Sequence, residues 1–164
     1  LAAAGISAIT AGLGQPVAAA RGGTAPVTRP LPNSDERVPV IGLGTFMTFD
    51  RRPETDQGFI PRVLRAFYDG GGRVIDTAAT YGAAETNTGH HVHTLGLTDK
   101  VFFTDKSWNC GNHLFDDSHA LRQFDQARQR LHRGQLDVVA IHSMTNVGMI
   151  LPVLNQLKAQ GAIR

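Results

Sequence analysis

The sequence has few cysteines and little net charge, two features that would otherwise indicate the class of protein directly. It has a single cysteine, Cys110, which excludes an internal disulfide and says little about the redox compartment. Its 16 Lys and Arg residues against 14 Asp and Glu residues leave a formal net charge of only +2, and the basic residues are scattered. A chain without a dense basic patch gives little support to nucleic-acid binding, so we expect no nucleic-acid partner.

The sequence also lacks an unbroken apolar run long enough to anchor it stably in a membrane. Residues 1–20 are apolar but consist mostly of Ala and Gly. The run is broken, well short of the ~20 apolar residues of a membrane helix, by Gly12, Gly14, Gln15 and Pro16. The Ala-x-Ala pattern at 18–20 is typical of the cleavage site of an export signal. We therefore predict an export-signal remnant at 1–20, of low hydrophobicity as in twin-arginine signals, and a periplasmic or otherwise exported protein; without a working signal it would be cytoplasmic.

Both ends of the sequence resemble cut ends. The chain begins with Leu1 rather than Met and stops at Arg164, shortly after a glycine. We therefore expect a piece of a longer protein. Residues 21–36 are rich in Gly, Thr and Pro and are predicted to be a linker, unstructured as far as Pro32. The folded part is predicted to run over 37–164.

Short apolar runs alternate with segments of helical periodicity from Val38 onward. The apolar, β-branched runs predict strands over 38–45, 73–78, 100–106 and 136–143. The helical spacing of apolar residues predicts helices over 57–68, 83–95, 116–131 and 147–160. In the third helix the residues expected to face the core are Leu121, Phe124, Ala127 and Leu131. Residues 162–164 would open a fifth strand.

Strands that alternate with helices pair in parallel through right-handed crossovers. Four such units would suit two architectures. One is a small doubly wound sheet, as in a small-molecule-binding protein. The other is half of a (β/α)8 barrel, which normally needs ~250 residues.

Polar residues follow the predicted strands at their carboxyl ends, where α/β enzymes carry their chemistry. In chain order they are Gly44, Thr45, Asp76, Tyr81, Lys106, His142 and Ser143. Each has a structural alternative: a helix cap for Asp76, turn packing for Tyr81, a solvated strand end for Lys106 and a satisfied core histidine for His142. Because parallel strands bring all of them to one rim, the functional interpretation is favoured.

These residue types suit the reduction of a carbonyl by hydride transfer. The reaction puts negative charge on oxygen, which a proton donor must neutralise. A phenol, with a pKa of ~10, is a weak acid at neutral pH. A nearby ammonium favours the phenolate, and a carboxylate holds the ammonium in place. An imidazole can bind and orient the carbonyl oxygen.

Residues 75–85, IDTAATYGAAE, closely resemble the signature D-T-A-x-x-Y-G-x-x-E of the aldo-keto reductases. Residues 40–45 (VIGLGT), 101–106 (VFFTDK) and 136–142 (LDVVAIH) are similar to the first, third and fourth barrel strands of that family. The resemblance runs from about Val38 to Arg164. It implies a (β/α)8 TIM barrel, of which this chain would hold about the first four βα units.

The resemblance implies roles for the rim residues, with Tyr81 as proton donor. Lys106 and Asp76 would be the pair that tunes it, and His142 would orient the carbonyl substrate. The nicotinamide of the cofactor would lie near Gly44, Thr45, Phe46 and Asp76. The family uses NADPH more often than NADH and needs no metal, so we expect NADP as the cofactor and a small-molecule carbonyl as the substrate.

Several residues depart from the family's pattern. Asp105 puts an extra carboxylate beside Lys106, which would weaken the coupling of Lys106 to Tyr81 and reduce or alter activity. Ala140 stands at a position that is often polar. The second helix contains His90, His91 and His93, but no cysteine or carboxylate cluster completes a metal site there, so we expect no metal. Trp108 is expected to line the substrate pocket or, alternatively, to serve packing.

The sequence thus predicts NAD(P)H-dependent reduction of an aldehyde or ketone to an alcohol, with NADPH preferred. The alternative within the family is a non-catalytic barrel that binds cofactor as a redox-sensing or regulatory module. Half a barrel would leave two open sheet edges and an exposed apolar interior. We therefore expect the 164 residues alone to be inactive, and to be unstable or dependent on self-pairing.

Overall fold

The computed structural model describes residues 25–32, 34–55 and 57–164. The export signal predicted at 1–20 and the first residues of the predicted linker lie outside these ranges. Within them, no helix is both long enough and apolar enough to cross a membrane.

The described chain begins with a β-hairpin. Strand β1 (Thr28–Pro30) pairs antiparallel with strand β2 (Arg37–Pro39), with Arg29 opposite Val38. The Arg37 guanidinium strengthens the pair by donating to the Thr28 hydroxyl and carbonyl oxygens at 3.0 and 2.8 Å. The prediction of an unstructured linker up to Pro32 is therefore wrong for β1.

The prediction of a single strand over 38–45 is also wrong, because two strands share this segment. Strand β2 ends at Pro39 in the hairpin, and strand β3 (Gly42–Gly44) opens a second sheet. Proline has no backbone N–H to donate and is confined to edges and strand ends. Pro39 therefore ends the hairpin strand, and the chain changes sheets after Val40 and Ile41.

Four βα units follow. Strands β3, β4 (Val74–Asp76), β5 (Phe102–Ser107) and β6 (Val138–Ile141) form a parallel sheet in chain order. Each strand is followed by one of the helices α1 (Phe59–Asp69), α2 (Ala84–Thr94), α3 (Asp117–Arg130) and α4 (Val147–Ala159). Of the predicted fifth strand, the described residues show a single parallel bridge, between Leu136 and Ile163.

The helices cover one face of the sheet. Ile75 and Phe103, at the centres of β4 and β5, pack in one core with Ile60 and Leu64 of α1 and Phe124 of α3. In α3 the buried face is set by Ala120, Phe124 and Ala127, whereas Leu121 is 39% exposed. Phe124, Ala127 and Leu131 are buried as predicted. The prediction that Leu121 faces the core is wrong, because Ala120, four residues before Phe124, takes that place on the buried face.

The other face of the sheet is open. The strand residues that point to it, such as Thr104 and Lys106 of β5 and Val138 and Ala140 of β6, are half-buried or exposed. Successive side chains of a strand point to opposite faces. Along β5, Phe103, Asp105 and Ser107 therefore lie under the helices, and Thr104 and Lys106 lie on the open inner face.

A polar network closes the amino-terminal end of the sheet. The Asp137 carboxylate accepts from the backbone N–H of Phe103 at 2.9 Å and from the guanidinium groups of Arg133 and Arg164 at 3.2 and 2.7 Å. Arg164 also forms an ion pair with Glu36 of the hairpin. The hairpin is thereby linked to the far end of the described chain.

Candidate active site

Asp76 is the last residue of β4 and is fixed at both its backbone and its side chain. Its carbonyl oxygen accepts from the backbone N–H and the hydroxyl of Thr45, each at 3.0 Å. Its carboxylate accepts from the Thr104 hydroxyl at 2.6 Å. Thr104 was not singled out in the sequence, although its spacing of two from Lys106 places both residues on one strand face.

Lys106 reaches Asp76 across the inner face. Its Nζ lies 2.8 and 2.7 Å from the two carboxylate oxygens of Asp76 and 2.8 Å from the carbonyl oxygen of Thr77. An ammonium has three donors, so these contacts use its full capacity. The side chain of Lys106 is 19% exposed and that of Asp76 is 41% exposed. The pair is thus fixed in place yet open to a ligand.

Tyr81 lies in the loop after β4, beside this pair. The Lys106 Nζ is 4.8 Å from the centroid of the Tyr81 ring. The turn that carries Tyr81 requires a glycine, because Gly82 has a φ of +61° and a Cβ there would meet the Asp50 carboxylate at 2.4 Å. That carboxylate accepts from the backbone N–H of Ala83 at 2.9 Å and so fixes the turn.

His142 directly follows β6. Its ring lies 5.8 Å from the Tyr81 ring and 6.3 Å from the Trp108 ring, centroid to centroid. The His142 Nδ1 is 2.8 Å from the Ser143 hydroxyl oxygen. The His142 Nε2 is buried and has no hydrogen-bond partner among the described residues. One ring nitrogen is thus held by the protein, and the other has no partner within the described chain.

The structure brings the four predicted catalytic residues together, and with them Phe46 and Trp108. The Phe46 ring is 59% exposed and lies 4.8 Å from the Tyr81 ring. Gly44 faces open space, since a Cβ there would have no neighbour within 4 Å. Thr45 lies next to Gly44 at the same strand end. It is fully buried, and its hydroxyl donates to the Asp76 carbonyl oxygen.

Asp105 does not lie on the inner face beside the Lys106 ammonium, contrary to the expectation from its place in the sequence. It is 3% exposed and lies under the helices. Burial, together with the charge of Glu85 on α2, raises the pKa of Asp105 to about 7. Glu85 is itself buried and pairs with Arg130 of α3 at 2.7 Å, and burial raises the pKa of Glu85.

The histidines of α2 pair with other rings. The His93 ring stacks on the His132 ring at 4.3 Å, and the His90 and His91 rings lie 4.9 Å apart. Among the described residues there is no group of three or more His, Cys, Asp or Glu side chains placed to hold a metal ion.

Comparison with known proteins identifies the family. Residues 40–164 match the model of the Aldo/keto reductase family. A Pseudomonas aeruginosa structure assigned to the aldo-keto reductases is 30% identical, with a TM-score of 0.69, over 84% of this chain and 56% of that one. A Klebsiella pneumoniae aldo/keto reductase, solved with NADP and acetate, is 27% identical, with a TM-score of 0.62, over 78% of this chain and 44% of that one.

The chain therefore spans about half the length of the structures it matches. No curated protein matches it. The comparison favours the barrel over the doubly wound sheet, and the fold is α/β, about the first four βα units of a (β/α)8 TIM barrel. Because the family's model matches residues 40–164, which hold all four βα units, the chain belongs to the aldo/keto reductase family.

Proposed function

We propose that the full-length protein reduces an aldehyde or ketone to an alcohol, with NADPH as the hydride donor and Tyr81 as the proton donor. The observation that carries this proposal is the ammonium of Lys106 beside the Tyr81 ring, 4.8 Å from the ring centroid, with all of its donors occupied by Asp76 and Thr77. A fixed positive charge next to a phenol stabilises the phenolate that remains after proton transfer.

Asp76 and Thr104 support Lys106 in this role. Because the carboxylate of Asp76 receives bonds from both Lys106 and Thr104, the ammonium cannot swing away from Tyr81 without breaking a network of short contacts. Effective general acid catalysis depends on such positioning. The proton that leaves the Tyr81 hydroxyl would pass to the carbonyl oxygen as that oxygen gains negative charge.

His142 is proposed to orient the carbonyl group. Its Nε2 is buried and free of protein partners within the described chain, and the Ser143 hydroxyl at Nδ1 fixes the plane of the ring. A donor held in one direction in a partly buried site is suited to bind the carbonyl oxygen. Trp108, 6.3 Å from this ring, would form a wall of the same pocket.

The inner face suits a nicotinamide ring, which when bound supplies the hydride. Gly44 leaves open space at the strand end, the Phe46 ring is exposed there, and the Asp76 carboxylate is partly exposed. Thr45 contributes from behind, by fixing the Asp76 backbone. The choice of NADPH follows the family resemblance, and the Klebsiella relative is solved in complex with NADP.

We also propose that the protein is exported. The proposal is supported by the Ala- and Gly-rich apolar run at 1–20 and its Ala-x-Ala end. Cell fractionation with N-terminal sequencing tests it. A mature protein that begins near Arg21 is expected, and a cytoplasmic protein that retains 1–20 would refute export.

The decisive experiment measures NADPH oxidation by the full-length protein against a panel of aldehydes and ketones. Replacing Tyr81 with Phe should lower kcat by about 10²- to 10⁴-fold, the usual contribution of a positioned proton donor. The matched control is Tyr68→Phe in α1, where the ring packs against the core and under Arg73, away from the inner face. Equal loss in both variants would contradict the proposal. Cofactor binding without turnover would instead favour the redox-sensing alternative.

A further inference from the structure

The backbone of Trp108 is held at both of its polar groups by one side chain of α3. The N–H of Trp108 donates to Gln123 Oε1 at 2.9 Å, and the Gln123 Nε2 donates to the Trp108 carbonyl oxygen at 3.0 Å. The Ser107 hydroxyl also donates to Gln123 Oε1, at 3.3 Å. We call these contacts the Gln123 clamp. It fixes the start of the loop that follows Lys106.

The clamp determines which atom of the Gln123 amide is the oxygen and which is the nitrogen. A backbone N–H can only donate and a carbonyl can only accept, so Oε1 must face the Trp108 nitrogen and Nε2 the Trp108 oxygen. The second hydrogen of the amide then points to His119 Nε2, 3.0 Å away. His119 Nε2 must therefore be an acceptor, which requires a neutral ring protonated at Nδ1. A protonated His119 would set one N–H against another.

The surroundings of His119 favour the neutral ring. Burial lowers the pKa of His119, and the positive charges of His113 and Arg122 lower it further, while Asp116 acts in the opposite direction. The His113 ring stacks on that of His119 at 3.9 Å, nearly parallel at 3°. Asp116 is itself occupied by bonds from Ser118 and Arg122 at 2.5 and 3.0 Å.

We propose that Gln123 is a positioning residue for Trp108 in the carbonyl site, and that His119 makes the Gln123 clamp sensitive to protons. The inference rests on the proposed function for its substrate. When His119 takes up a proton in mild acid, the Gln123 amide loses an acceptor and faces a like donor. The amide must turn, and Trp108 loses one or both of its backbone contacts. The wall beside His142 then loosens, and bulky carbonyl substrates bind less tightly.

The first test uses tryptophan fluorescence, which does not require turnover. Trp108 is the single tryptophan of these 164 residues, and in the full-length protein its emission is isolated by subtracting that of a Trp108→Phe variant. We expect an acid transition with a midpoint below the ordinary histidine pKa of about 6.5. His119→Gln, which has a side-chain acceptor that does not titrate, should remove the transition. Gln123→Met should show the acid form of the spectrum at every pH.

His142 also faces Trp108 and needs its own control. The transition should persist in His142→Gln. Its loss in that variant, or its persistence in His119→Gln, would overturn the assignment to His119. A Gln123→Met spectrum that matches the wild type at pH 8 would overturn the clamp itself.

The second test separates KM from kcat. For a bulky aromatic ketone, KM should rise about fivefold between pH 8 and pH 5.5, the worth of one hydrogen bond, and should stay constant in His119→Gln. A small aldehyde should show no such rise. A fluorescence transition without the change in KM would overturn the substrate role of the clamp. Because Tyr81→Phe tests the reductase reaction separately, failure of that function and failure of the clamp are distinguishable.

Discussion

Two ion pairs lie on opposite faces of the sheet and differ in how many of their polar atoms have hydrogen-bond partners. The inner pair is Asp76–Lys106, in which the ammonium has three acceptors and the carboxylate also receives a bond from Thr104. The outer pair is Glu85–Arg130, which lies under the helices beside Asp105. Within the described chain, Glu85 Oε1 and Asp105 Oδ1 are buried without a hydrogen-bond partner.

The difference shows that hydrogen bonds hold the inner pair in one geometry, whereas the outer pair lies beside buried carboxylate oxygens that lack partners. A buried carboxylate oxygen without a partner loses its hydration without replacement, which destabilises the charged form. The inner pair avoids that cost because it is saturated and partly open to solvent. The geometry of the inner pair is therefore fixed. We expect the outer pair to govern the free energy of unfolding and its dependence on pH.

The largest effect should come from breaking the inner pair. In the full-length protein, Lys106→Met should lower kcat by about 10²-fold or more, because Tyr81 loses the charge that stabilises its phenolate. Steady-state NADPH oxidation checks this. Lys100→Met, at an exposed lysine before β5, is the control, and wild-type turnover in Lys106→Met would remove Lys106 from the reaction.

Breaking the outer pair should affect stability instead of turnover. Arg130→Met leaves Glu85 buried without its cation, and we expect the free energy of unfolding at pH 8 to fall by about 2 kcal/mol, a value reduced because Arg130 is partly exposed. Urea unfolding checks this, with the exposed Arg62→Met of α1 as control. A kcat that fell along with stability would show that the two faces are not independent.

The outer face also depends on a close helix contact. A Cβ on Gly89 of α2 would lie 1.8 Å from the Arg130 carbonyl oxygen, so Gly89→Ala must push α3 away from α2. We expect a loss of about 2 kcal/mol, typical of overpacking. Gly148→Ala in α4 is the matched control, since its Cβ would meet nothing within 4 Å. That variant should be neutral or more stable by up to about 1 kcal/mol. Equal effects in both would contradict the contact.

The smallest expected effect is on how the free energy of unfolding depends on pH. Because the pKa of Asp105 is raised to about 7 in the folded protein, the folded state holds a proton that the unfolded state releases near its ordinary value of about 3.9. Stability from this group is complete below that value and is lost as the pH rises through 7. Between pH 6 and pH 8 the loss should be about 1 kcal/mol.

Asp105→Asn should flatten this fall, as measured by urea unfolding at several pH values. Asp99→Asn, at an exposed carboxyl, should leave the pH dependence as it is. A fall of wild-type size in Asp105→Asn would assign the dependence to another group.

Much of the fold could be predicted because its signals are local. The fourth helix was predicted over 147–160 and is found at Val147–Ala159, since its apolar spacing and the following glycine mark both ends. The phase of α3 was also predicted at Phe124, Ala127 and Leu131, which are buried. The first turn was not, because Ala120 and Leu121 differ by about 100° around the helix and only packing against the sheet decides between them.

The site was predictable as a set, because parallel strands bring their carboxyl ends to one rim. The direction in which a single side chain points was harder to predict. Thr45 lies beyond the end of β3, and its two bonds to the Asp76 carbonyl, from a residue 31 positions away, turn it inward. The burial of Asp105 did have a signal: Lys106 is its neighbour in a strand, and neighbours point to opposite faces.

The ion pair between Glu36 and Arg164 has a consequence for the order of folding. It joins residues 128 positions apart, and contacts of such long range form late because closing the loop costs chain entropy. A two-stranded hairpin is only marginally stable by itself. We therefore expect the amide of Leu31, which donates to the Glu36 carbonyl at 2.8 Å, to gain protection from hydrogen exchange after the amides of β5 during refolding.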